Sequence, residues 1–220
     1  MFLSVFDMFK IGVGPSSSHT MGPMVAGARF LASLRASPFH PKGLRASLHG
    51  SLAFTGKGHA TDRATILGLA GFQPDTYDHD KAEAALAEVG ATGRVTPPGL
   101  PELTFDPASD LVFDYGHPLP GHANGMVLSA TDAQGDVILQ ETYYSIGGGF
   151  VVTEAEQSGD APKPTERPVP YPFRTAAEML DMAAASGKSI AQMKRANERV
   201  FRTDAEIDAG SARIWEVMRD

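Results

Sequence analysis

Seven histidines and no cysteine set the chemistry open to these 220 residues. Imidazole is the side chain whose unperturbed pKa lies near neutrality, so proton transfer at pH 7 falls most naturally to histidine. The absence of cysteine excludes disulfides, thiolate nucleophiles and cysteine-ligated zinc or iron–sulfur sites within the chain. Four segments then stand out. In Gly14-Pro15-Ser16-Ser17-Ser18-His19-Thr20-Met21-Gly22, hydroxyls and an imidazole gather where a helical pattern begins. Free backbone N–H groups and the positive helix end favour an anion there, such as an amino-acid carboxylate. A helix cap with spare serines is the plain alternative, and a Walker phosphate loop is excluded because Gly-Lys-Ser/Thr is missing.

In Gly56-Lys57-Gly58-His59-Ala60-Thr61-Asp62-Arg63, His59 is expected in the first turn of a helix. That position disfavours imidazolium and so favours a neutral base, with Asp62 or Thr61 available to orient the ring. A solvated capping residue is the competing assignment. Gly116 to Met126 holds His117 and His122 in a Gly/Pro loop ahead of a strand, placed to reach a cleft but equally compatible with surface histidines. Tyr143 to Phe150 carries Gly147-Gly148-Gly149, which allows close approach of a ligand or forms a tight corner in a sheet. His40, His49 and His79 read as structural or solvated.

The elements that must position these groups follow from hydrophobic period. Met24, Ala28, Leu31 and Arg35 continue at helical spacing until Ser37-Pro38. Arg45 to Phe54 alternates, with Ala46, Leu48, Gly50, Leu52 and Phe54 on one face of a predicted strand. Helices are predicted after Gly58 and over about Asp80 to Val89, then a loop from Ala91 to Pro107. Leu111 to Tyr115, Met126 to Thr131, Val137 to Ile146 and Phe150 to Val152 read as strands, the middle two joined by a hairpin turn at Asp132 to Asp136. Five prolines between Pro162 and Pro172 mark a linker or extended arm. Ala176 to Ala185, Ile190 to Phe201 and Ile207 to Met218 complete the chain as helices, the last without a Gly or Pro terminator, as expected of a chain cut short. The order predicts an α+β fold with an antiparallel sheet.

A net charge of −7, from 19 Lys and Arg against 26 Asp and Glu, argues against a phosphate-neutralising nucleic-acid surface. With no apolar run long enough for a transmembrane helix and no basic leader at the start, a cytoplasmic protein is expected, with no membrane partner.

Taken in order, KIGVGPSSSHTMGPM, GSLAFTGKGHATD, LPGHANGM and TYYSIGGGFVV resemble the N-terminal beta domain of single-chain, iron–sulfur-dependent bacterial L-serine dehydratases. VPYPF, Asn197-Glu198 and Glu206-Ile207-Asp208 match that family's continuation, with a looser fit from Asp78 to Asp110. The resemblance implies a beta domain over residues 1–153, akin to allosteric substrate-binding domains, a Pro-rich linker over 154–173 and a helical segment over 174–220 leading to an alpha domain. It further implies a homodimeric lyase that deaminates L-serine to pyruvate and ammonia. The cofactor it implies is an oxygen-sensitive [4Fe–4S] cluster held by cysteines of the alpha domain, without pyridoxal phosphate. Carried over residue by residue, His59 and His122 are the catalytic candidates. Ser16, Ser17, Ser18, His19, Thr20, Lys57, Asn124, Gly147 and Gly148 are the substrate-binding ones.

Such a reaction removes an unacidified α-proton and expels hydroxide, which calls for an electrophile. On this scheme the Ser16–Thr20 loop grips the carboxylate, His59 or His122 takes the α-proton, and iron supplied from elsewhere polarises the β-hydroxyl. Two rivals are a serine-sensing regulatory module without catalysis, and a metal-dependent hydrolase using His19, His59, His117 and His122.

Overall fold

The computed structural model describes residues 2–161 and 167–219. Pro162 and Pro164 of the predicted arm therefore lie outside the described residues. Along the chain, α1 (Val5–Met8) precedes a π-helical turn (Ser17–Met21) that runs directly into α2 (Gly22–Ala36), followed by β1 (Gly43–Gly50) and α3 (Ser51–Phe54). A 3₁₀ turn (Gly56–His59) leads into α4 (Thr61–Leu69) and α5 (His79–Thr92). Then come β2 (Arg94–Val95), β3 (Leu103–Thr104), β4 (Leu111–Asp114), β5 (Asn124–Thr131), β6 (Val137–Gly147), β7 (Phe150–Thr153) and α6 (Glu154–Ser158). Helices α7 (Ala176–Ser186), α8 (Ile190–Glu198) and α9 (Asp204–Arg219) complete the described residues.

The fold is α+β, as the order of periods predicts. The sheet is antiparallel from β1 through β5 and β6 to β7, and on its other side β1 runs parallel to both β3 and β4, so the sheet is mixed. Ala46 and Leu48 of β1 face inward as predicted, and Leu44, ahead of the predicted run, extends the same buried face. They join Phe30, Leu31 and Leu34 of α2 and Met126, Leu128 and Ala130 of β5 in one apolar core. Met24, Ala64, Leu67 and Ala82 form a second cluster between α2, α4 and α5.

The predicted strand over Arg45 to Phe54 stops short. Gly50 adopts φ 57° and ψ −129°, a backbone region open essentially to glycine, and the chain turns into α3. Leu52 is buried, but Phe54 is 63% exposed rather than inward-facing. The stretch predicted as loop from Ala91 to Pro107 holds β2 and β3, which are too short to show a period. Gly147 to Gly149 resolve into the tight corner: Gly147 pairs with Phe150, and positive φ at both Gly148 (60°) and Gly149 (70°) is the signature of a two-residue hairpin turn.

The chain divides into two compact units, Gly12–Pro162 and Met1–Ile11 with Lys163–Asp220. In the second unit, Glu198 is 2% exposed and accepts from the Ser4 hydroxyl (2.9 Å) and the Val5 amide (2.7 Å) while pairing with Arg202 (3.2 Å). Its neighbour Asn197, fully buried, accepts from the Tyr171 amide and donates to the Tyr171 carbonyl, both at 2.8 Å.

Candidate functional site

The first unit gathers its chemically competent side chains beyond the C-terminal end of β1. The π-helical turn starts as the Ser-rich sequence predicts: Ser16 caps it, its Oγ accepting from the His19 amide at 3.1 Å. What hydrophobic period does not foretell is the wide turn itself, in which Met21 N–H reaches the Ser16 carbonyl (3.2 Å) and Gly22 N–H the Ser17 carbonyl, each five residues back. Pro23 has no N–H to return to the His19 carbonyl four residues earlier. That freed carbonyl accepts from the Thr61 hydroxyl at 2.7 Å. Reciprocally, the Thr20 hydroxyl donates to the His59 carbonyl at 2.8 Å. Two threonines, 5% and 0% exposed, thus cross-brace the two histidine segments, and the His19 and His59 rings lie 4.8 Å apart at 37°.

His19 is held at both nitrogens by hydroxyls, Nδ1 by Ser18 (3.0 Å) and Nε2 by Ser51 (2.9 Å). Burial, and secondarily the neighbouring His59, lower its pKa from the ordinary 6.5, while a bond to the Ser51 backbone opposes them. At neutral pH His19 is therefore an uncharged hydrogen-bonding group. His59 is not in the first turn of α4 as predicted. It closes the 3₁₀ turn, and Ala60, in the left-handed region at φ 54°, separates it from α4. Neither predicted partner orients its ring: Asp62 accepts from the Arg63 amide, and Thr61 is spent on His19. The orienter is the Thr55 carbonyl, 3.0 Å from Nδ1. Lys57, on the same turn, is exposed with its ammonium over the Phe113 ring (5.6 Å).

The third predicted segment meets this cluster through Ser51, whose amide donates to the Ala123 carbonyl at 2.8 Å. One residue earlier, the His122 Nδ1 accepts from the Asn124 amide (3.1 Å), and the Asn124 side chain donates to the Ser145 carbonyl (3.1 Å). The Ser145 hydroxyl, in a residue 2% exposed, has no hydrogen-bond partner and lies against Gly22, where a Cβ would come within 2.0 Å of it. Gly147 follows two residues later on β6; its φ of 94° falls at a register shift in the β6–β7 ladder, and the positive φ of Gly148 belongs to the hairpin turn. His117 is exposed and, among the described residues, no group of three or more His, Cys, Asp or Glu side chains is placed to hold a metal ion. Ser51 and Thr55, which hold the two imidazoles, escaped sequence reasoning because the strand pattern assigned Ser51 to a polar sheet face.

The site is thus a set of hydroxyl, imidazole and main-chain groups on an α+β domain, at the start of a long helix. The chain belongs to the serine dehydratase beta chain family, whose model matches residues 4–156. It is 43% identical over 221 residues to the L-serine dehydratase of Streptomyces coelicolor, covering 100% of this chain and 49% of that protein. It is 45% identical over 223 residues to L-serine dehydratase TdcG of Escherichia coli (99% and 48%) and 40% identical over 215 residues to the L-serine dehydratase of Helicobacter pylori (98% and 47%). The chain therefore spans about half the length of the curated relatives it matches. No helix among the described residues is long and apolar enough to cross a membrane.

Proposed function

We propose that this chain is the substrate-binding half of an L-serine dehydratase, a lyase that deaminates L-serine to pyruvate and ammonia. The supporting observation is the cross-braced His19–His59 pair set beside a capped helix start. The first amides of a helix have no acceptor within it, and here the His19 and Thr20 amides are already taken by Ser16, so Ser17 and Ser18 present theirs to a carboxylate. Ser16, Ser18, His19 and Thr20 shape that turn. Lys57, Asn124, Gly147 and Gly148 complete the proposed binding surface, and an imidazole of the same site takes the α-proton.

A [4Fe–4S] cluster does not fit these residues, which include no cysteine and, where described, no converging group of metal ligands. We assign the cluster and its thiolates to an alpha domain within the half of the relatives' length that this chain does not span, and place the enzyme in the cytoplasm as a homodimer.

Isothermal titration with L-serine tests the binding half of the proposal, with Ser17→Pro, which deletes one presented amide, expected to weaken binding by about tenfold. Pyruvate formation by the enzyme assembled with its remaining half tests the reaction. Binding without turnover in the assembled form would favour a serine-sensing module, and absence of binding would refute both.

A further inference from the structure

We propose that Gln157 is a positioning residue for His122: from α6 it holds the main chain next to that imidazole, and α6 is itself latched to α2, the helix that begins at the proposed carboxylate turn. The inference rests on the function proposed above and deepens it. Gln157 stands one residue beyond the stretch that the family model matches. The main chain of His122 is bracketed by its two neighbours. On one side the Ala123 carbonyl accepts from the Ser51 amide at 2.8 Å, a bond between main-chain groups. On the other, the Gly121 carbonyl accepts from Gln157 Nε2 at 2.6 Å.

The Gly121 oxygen matters because it lies in the same planar peptide unit as the His122 nitrogen and Cα. Holding that oxygen therefore fixes the plane from which the His122 side chain departs. Gly121 is confined a second way: a Cβ there would sit 2.5 Å from Cε2 and Cζ of Tyr144, whose side chain is buried. No side chain fits between the ring and this turn of the loop, and glycine lets the loop rest on it. The remaining freedom of the peptide is rotation, which the Gln157 bond opposes.

A donor on a five-residue helix is only as fixed as the helix, and a helix this short does not hold by itself. Two devices secure α6. Thr153 and Glu156 form a capping box, the Glu156 carboxylate accepting from the Thr153 amide at 2.7 Å and the Thr153 hydroxyl from the Glu156 amide at 3.1 Å. The other Glu156 oxygen accepts from Arg29 of α2 at 2.7 Å, and a second nitrogen of that guanidinium donates to the Val151 carbonyl of β7 at 2.6 Å. Arg29 thus grips both the strand that enters α6 and the helix itself through charge-assisted bonds. The resulting path runs from α2 through Arg29, Glu156 and Gln157 to Gly121 and His122. It ties the carboxylate turn at the start of α2 to the His122 loop by a route separate from Ser51.

Kinetics and hydrogen exchange on the full enzyme carrying this chain test the assignment. Gln157→Glu keeps the shape but sets a carboxylate against a carbonyl oxygen, whereas Gln157→Lys keeps an N–H donor of similar reach. Gln157→Glu and Gln157→Ala should lower kcat/KM for L-serine by about five- to tenfold, the scale of one net hydrogen bond, with Gln157→Lys within about twofold of wild type. Because Gln157 is exposed, Tm should stay within roughly 2 °C in all three. Glu156→Ala, which unlatches α6, should lose about as much, and the double variant Glu156→Ala/Gln157→Ala no more than the worse single one. Amide exchange over residues 116–123 should quicken in Gln157→Glu and not in Gln157→Lys. Wild-type kcat/KM and exchange in Gln157→Glu, Gln157→Lys as impaired as Gln157→Glu, or losses that multiply in the double variant would each overturn the inference. A wild-type enzyme inert toward L-serine would instead refute the proposed function, and exchange in the loop would still decide whether Gln157 holds it.

Discussion

Replacing Gly27 by Ala should destabilise the Gly12–Pro162 unit and loosen the site at its far end. Gly27 lies inside α2, and a Cβ there would sit 2.6 Å from the Gly68 carbonyl carbon, 2.8 Å from the Gly68 Cα and 2.8 Å from the Leu69 nitrogen of α4. All three are main-chain atoms, so no rotamer relieves the contact. Carbon atoms pack at about 3.5–4.0 Å, so the helices must part by roughly 1 Å. Overpacking of this kind costs about 3 kcal/mol, against a gain of about 1 kcal/mol from the better helix propensity of alanine, for a net loss of about 2 kcal/mol. In a body of this size that lowers Tm by roughly 4–8 °C. Because α2 and α4 continue directly from the braced histidine segments, the L-serine affinity that the proposed function requires should fall with the Tm. Gly90→Ala is the control: it lies in α5 with nothing within 4 Å of its Cβ position, and should raise stability by about 1 kcal/mol. Thermal melts followed by circular dichroism decide the matter. A Gly27→Ala Tm at or above wild type would refute the close backbone crossing.

Thr20→Val and Thr61→Val should each cost about 1–2 kcal/mol in urea unfolding, and the double variant less than their sum, because both bonds brace the same pair of segments. His19 binds a proton less readily folded than unfolded, so the unfolded state holds more protons just below pH 6.5 and stability must fall as pH falls through that window. His19→Gln should flatten the slope between about pH 5 and 7, and an unchanged slope would contradict the shift. Asn197→Ala should cost about 2–4 kcal/mol in denaturant titrations, since it strands both the Tyr171 amide and carbonyl.

What the sequence made legible was local chemistry. Serine at position 16 is a helix-capping residue by type, and it caps. The alternation that includes Ala46 and Leu48 depends on one buried sheet face, and at those positions that face is buried. Three consecutive glycines allowed either the close approach of a ligand or a tight corner, and Gly148 and Gly149 form the corner. The misplacements have a common origin in bonds made across the fold. His59 was expected in the first helical turn because a helical pattern follows directly on the break at Gly56-Lys57-Gly58. The hydroxyl of Thr61 instead serves a carbonyl 42 residues away, and Ala60 takes up a left-handed conformation that no alanine advertises. Likewise Ser51 continues the polar side of an alternating run, and only the glycine conformation at position 50 turns it toward His19. The parallel pairing of β1 with β4 joins segments more than 60 residues apart, which local period cannot register.

The π-helical turn shows how one residue type organises the site. In a regular α-helix, Pro23 would be the donor to the His19 carbonyl; being proline, it leaves that oxygen to another element. A buried carbonyl without a partner is costly, so the Thr61 hydroxyl beside it does more than decorate the helix. It converts a defect in α2 into a tie to α4. The reciprocal tie from Thr20 to the His59 carbonyl binds the second histidine segment to the first. Both anchors act on carbonyl groups and leave the imidazole nitrogens to separate partners, so ring chemistry and ring placement are set independently. That separation lets His19 sit between two hydroxyls while His59, one ring away, is held at Nδ1 by the Thr55 carbonyl.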